Sequence, residues 1–246
     1  MASVSNMPES RNEWSTRWTV AFVGVALVVA LIGLGVLLAI LGYSPIALIR
    51  QALDGLFAAG SVQAMWYVTR AAGILSYLLL WLSTVWGLAV SNKILDPVLH
   101  RAFTYDFHQF LSLLAIGFIV LHVGVLLADQ YLPFSVAQIL VPFAAPYRPV
   151  WVGIGTIGLY LTLLVSITFY IRKWIGQKTF RVIHLVSYLA FIAAALHGLF
   201  AGTDSPLPTV QAMYLLTTLS VVFLTAYRIV MSAQAKRQRA ALSDRA

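Results

Sequence analysis

No cysteine occurs anywhere in the 246 residues. Its absence removes disulfides, cysteine-held iron–sulfur clusters, covalent c-type haem and thiol nucleophiles together. Charge is also scarce, with 10% of residues charged against 61% hydrophobic, and that is too little polar surface to cover a soluble globule of this length. The chain is therefore expected to be an all-α integral membrane protein. Acidic residues are the scarcer sign, 8 against 16 basic ones, for a net charge of +8. In a membrane protein such an excess reports orientation and attraction to anionic lipid. Proline, finally, is missing from every stretch long enough to cross a bilayer.

Six such stretches are present, at about 19–41, 65–90, 105–129, 151–171, 180–200 and 209–230. Residues 1–17 read as a polar cytoplasmic tail, 18–232 as a six-helix transmembrane domain and 233–246 as a basic cytoplasmic tail. The first apolar run exceeds the 7–15 residues of a signal-peptide core, so it is taken as a span. After it, Ser44-Pro45 opens a short segment with Ile46, Ile49, Leu53, Leu56 and Phe57 at helical spacing, which predicts an interfacial helix. Between spans three and four, Pro133, Pro142, Pro146 and Pro149 predict a structured loop with one helical turn at Val136–Leu140.

Thirteen of the 16 Lys and Arg fall on the N-terminal tail, the loops after spans two and four and the C-terminal tail, counting Arg181 and Arg228 at the adjoining span ends, and only Arg50, Arg70 and Arg148 fall elsewhere. That bias puts both termini in the cytoplasm. It also argues against nucleic acid, because the basic groups follow one membrane face and form no surface with base-stacking aromatics.

Span three carries His108 and His122 in an otherwise apolar run, and span five carries His184 and His197. A histidine in hydrocarbon is costly unless it faces the protein interior and finds a partner. Fourteen residues of α-helix cover about 21 Å, enough to place one histidine toward each leaflet. Spans three and five run in the same direction, and His122 and His197 each stand seven residues before an aspartate, Asp129 and Asp204. His108 with His184, and His122 with His197, thus form two cross-helix pairs at different depths. Two imidazoles facing each other without an acidic ligand suit bis-histidine haem ligation. Zinc would want more protein ligands at each level. Histidine-mediated proton transfer stays open, although it would not need two level pairs. The angular register is uneven: fourteen residues return to within about 40° of the starting face, whereas thirteen leave about 140°. Span five must be locally overwound, or meet its two levels from different sides.

With histidine pairs at fourteen and thirteen residues on the third and fifth of six helices, the chain resembles the ferric reductase-like transmembrane domain family. That family is shared by ferric reductases, NADPH oxidases and the haem subunit of a bacterial methionine sulfoxide reductase system. The resemblance covers about Trp66–Ile229. It implies two b-type haems, the inner iron held by His108 and His184 and the outer by His122 and His197. It implies an oxidoreductase component in the bacterial cytoplasmic membrane that passes electrons to an extracytoplasmic acceptor. The flavin and nicotinamide domains of larger relatives are not expected in this chain, so a separate cytoplasmic flavoprotein reductase or a quinol is the expected donor. An extracytoplasmic redox partner is possible. The alternatives are a haem subunit dedicated to a periplasmic reductase, and a non-redox transporter of metal or protons that uses the four histidines.

Several further residues invite a reading. Arg70 and Arg148 lie on the outer side, where they could pair with haem propionates; lipid snorkelling competes for Arg70. Inside, Arg101, Arg172, Lys173, Lys178 and Arg181 could meet inner propionates or an acidic reductase, but topology alone explains most of them. His100 is expected to be an exposed loop residue. Tyr188 and Phe191 fall between the two levels, where core packing is the expected role and electronic bridging the alternative. Gly153, Gly155 and Gly158 match a dinucleotide fingerprint only formally, because no strand precedes them and position 178 is Lys. Close helix packing is the expected use of these glycines.

Overall fold

The computed structural model describes residues 62–128 and 132–243, so the expected first span, the interfacial helix and Asp129 lie outside the described residues. Seven helices follow in order: α1 Val62–Ser91, α2 Arg101–Ala128, α3 Val136–Leu140, α4 Pro149–Ile175, α5 Gln177–His184, α6 Ser187–Ala201 and α7 Pro208–Ser243. No strand occurs among the described residues. Among the described residues, five stretches are long and apolar enough to cross a membrane, the fourth combining α5 and α6: Met65–Ser91, Arg101–Leu127, Pro149–Ile175, Gln177–Ala201 and Pro208–Ala235. The chain is an all-helical integral membrane protein.

Local chemistry explains where the helices start and stop. Pro149 occupies the first turn of α4, where no N–H is needed. α4 ends at Gly176, whose φ of 79° lies in the left-handed region that glycine enters without penalty, and α5 starts at the next residue. The basic loop expected after span four is thereby reduced to a one-residue turn. α3 is closed by a capping box: the Ser135 hydroxyl accepts from the Gln138 N–H and the Gln138 side chain accepts from the Ser135 N–H. Its one turn coincides with the turn expected inside the proline-rich loop. α7 continues through Ser243, so residues 233–243 are helical.

α1 is the hub, touching α2, α6 and α7, while α4 packs mainly on α6. The buried core holds Tyr77, Leu88, Phe191, Tyr214 and Val221. Polar ties reinforce it across helices: the Tyr77 hydroxyl is 2.6 Å from Thr217 Oγ1, and Trp81 Nε1 donates to Ser220 Oγ at 2.8 Å. Trp86 Nε1 donates to the Thr104 carbonyl at 2.9 Å, linking α1 to α2. Leucine, valine and phenylalanine residues such as Leu113, Val120, Leu216 and Phe223 face outward, as helices in lipid require.

Candidate functional site

Four of the five histidines meet in pairs. The ring centres of His108 and His184 are 6.1 Å apart with planes crossed at 77°, and those of His122 and His197 are 6.2 Å apart at 76°. A metal ion midway between two imidazoles, with bonds of about 2.0 Å and about 1.1 Å from each nitrogen to its ring centre, would set the centres about 6.2 Å apart. Both pairs match that span. His100 is exposed in the α1–α2 connection. Among the described residues, no three His, Asp or Glu side chains converge on a possible metal position, so each pair would need a group that brings its own equatorial ligands.

The second ring nitrogens of His108, His122 and His197 are engaged elsewhere. His122 Nδ1 donates to the Thr69 carbonyl at 2.8 Å and His197 Nδ1 to the Trp151 carbonyl at 3.0 Å. A carbonyl only accepts, so both rings carry their proton on Nδ1 and keep a lone pair on Nε2 for a metal. His108 Nδ1 is 3.2 Å from Ser83 Oγ. His184 Nδ1 is buried with no partner among the described residues, and the ring packs 5.4 Å from Phe180.

Glycine opens each of the three contacts. A helical carbonyl at residue i points toward residue i+4, whose side chain leans back over it. An outside side chain can reach that region freely only where residue i+4 has no side chain. Thr69 is followed four residues later by Gly73, Ser83 by Gly87 and Trp151 by Gly155. A Cβ at position 73 would lie 3.0 Å from His122 Nδ1, one at 87 would lie 3.0 Å from His108 Cε1, and one at 155 would lie 2.5 Å from His197 Nδ1. Gly158 serves helix packing as expected, its Cβ position lying 3.1 Å from Ala193 Cβ. The signal for α1 was present in the sequence, since Gly73 and Gly87 are fourteen residues apart, like His108 and His122.

Overwinding accounts for part of the uneven spacing in span five. Leu185, Val186 and Tyr188 each bond a carbonyl three residues back, the 3₁₀ pattern, which turns about 120° per residue instead of about 100°. Three such residues recover about 60° of the offset of about 140°. The chain also divides into α5 and α6 at this point.

A cavity of about 220 Å³ surrounds the outer pair, and its lining includes Thr69, Arg70, His122, Tyr147, His197 and Asp204. Arg70 is bonded through two nitrogens to the Asp204 carboxylate and lies 5.7 Å from the Tyr67 ring centre. Arg148 sits just before α4, donates to the Phe200 carbonyl at 2.5 Å and covers the Tyr147 ring. The Arg70–Asp204 pair ties the α6–α7 connection to α1. Replacing Asp204 by asparagine is expected to cost about 1 kcal/mol and to lower the thermal midpoint by about 2–4 °C. An unchanged midpoint would show that the pair adds nothing to stability. Of the inner cations, Arg101 pairs with Asp96 at 2.9 Å and Arg172 lies 4.0 Å from the Phe169 ring centre. Phe191 is fully buried and stacked 5.8 Å from Tyr77, within the core between the two levels.

The membrane-embedded helical bundle thus brings together two imidazole pairs at two depths. The model of the family described as ferric reductase like transmembrane component matches residues 72–195, half of the chain. The chain belongs to that family, whose general role is electron transfer across a membrane. The matched region contains His108, His122 and His184 and stops two residues before His197. No curated protein and no solved structure gives a significant match.

Proposed function

We propose that the protein is a di-haem b-type cytochrome with six spans and both termini in the cytoplasm of a bacterial cell. It would carry electrons one at a time from a cytoplasmic flavoprotein or a quinol to an acceptor outside. The observation that carries this reading is the pair of histidine–histidine separations, both at the span of a doubly ligated metal. His108 and His184 would hold the inner haem, and His122 and His197 the outer one. When bound, each haem would supply a reversible one-electron iron couple, and its iron, held by two histidines, would be suited to electron transfer rather than to substrate binding.

The residues of the chain do the remaining work. The Thr69 and Trp151 carbonyls fix the outer imidazoles with Nε2 inward. The apolar helices keep water from the path between levels about 21 Å apart. Arg70 and Arg148 are the cations available to outer propionates, Arg70 while also serving Asp204. Membranes containing the protein should show reduced-minus-oxidised b-type bands, and the purified chain about two haems per molecule. A folded, haem-free preparation from haem-replete cells would overturn the proposal.

A further inference from the structure

The inner pair is held differently from the outer one, and counting protons shows how. Ser112 Oγ donates to the His108 carbonyl at 2.9 Å and has no second proton to give. Ser83 Oγ, 2.8 Å from Ser112 Oγ, must therefore be the donor between them. Only lone pairs of Ser83 then remain for the third contact, 3.2 Å to His108 Nδ1, so that nitrogen carries the proton and Nε2 is left bare. The bonds close a ring from His108 Nδ1–H through Ser83 and Ser112 back to the His108 carbonyl. His184 has no equivalent among the described residues, where its buried Nδ1 finds no partner. Where Gly155 opens α4 to His197, the position thirteen residues further along is Thr168, which carries a side chain.

We propose that Ser83 and Ser112 are positioning residues of the inner level: they set the tautomer of His108, and among the described residues Ser83 is the sole Nδ1 acceptor of the inner pair. The inference rests on the di-haem reading above. An imidazole that donates its Nδ1–H is a stronger metal donor and favours the oxidised ion. Ser83→Ala removes that support from one level only, while the outer pair keeps its two backbone acceptors.

The test is a redox titration of the purified haem-loaded protein, followed by its b-type absorbance. The inner transition is identified as the one missing from His184→Ala. Ser83→Ala should raise the inner midpoint and leave the outer one in place, and Ser83→Thr, which keeps the hydroxyl, should restore it. Ser112→Ala should shift the inner midpoint the same way by less, since Ser83 remains. If Ser83→Ala moves neither midpoint, both, or only the outer one, the proposal is wrong. Should Ser83→Ala instead lower haem content, the loss must be confined to the inner haem and reversed by Ser83→Thr; any other pattern overturns it. A wild-type chain without haem is a different result, which refutes the di-haem reading itself.

Discussion

Replacing His122 by alanine is expected to reduce haem content from about two per chain to about one, with the inner haem spectrum retained. His122 and His197 supply the outer pair of ring nitrogens, and Nδ1 of each is engaged by a backbone carbonyl. Alanine at 122 would leave His197 facing an apolar cavity with nothing opposite. His108→Ala should give the mirror result, losing the inner haem and keeping the outer, because about 21 Å of helix separates the levels. Haem-to-protein ratio and the reduced spectrum of each variant provide the check. A His122→Ala chain with both haems intact would remove His122 from the site.

The second large effect is expected from a single added methyl group. Gly155→Ala would place a Cβ 2.5 Å from His197 Nδ1, a separation that no relaxed side-chain contact has. The imidazole must withdraw from the Trp151 carbonyl and from its place opposite His122. Loss of an outer-shell bond to a metal-binding histidine typically costs about 10–100-fold in affinity, and here the ring itself is displaced as well. Outer haem should therefore be lost on purification or bound at least that much more weakly, while the inner haem stays. Gly73→Ala and Gly87→Ala meet their rings at 3.0 Å, so their effects should be smaller. Gly117→Ala and Gly124→Ala, where a Cβ would meet nothing within 4 Å, are the controls. If Gly155→Ala behaves like the controls, glycine at this position does not govern histidine placement.

Much of the site was legible because cost makes it conspicuous. Four histidines in apolar runs stand out, and their like-directed helices and matching distances from Asp129 and Asp204 pair them by depth. What escaped was everything that holds them. Gly155 was readable only as a packing residue in a run of small ones, because a glycine does not announce what will occupy the space it leaves. Thr69 and Trp151 act through their carbonyls, which every residue has, so no side-chain pattern could point to them. Ser83 and Ser112 looked like two of many small polar residues. For Arg70 the sequence offers a haem propionate or the lipid interface, and its partner Asp204 is 134 residues away in sequence.

By itself, the sequence determined the membrane class, the five spans among the described residues, the absence of thiol chemistry and the identity of the candidate ligands. Those follow from composition and one-dimensional spacing, where the cost of charge and of unpaired backbone groups in hydrocarbon dominates. Only the tertiary structure decided which nitrogen of His108, His122 and His197 carries the proton, how overwinding at Leu185 and Val186 eases the thirteen-residue spacing, and that Arg70 is paired with Asp204. The physical reason is that these depend on contacts between helices at the scale of a single hydrogen bond. A period along one helix says nothing of what its neighbour presents across the gap.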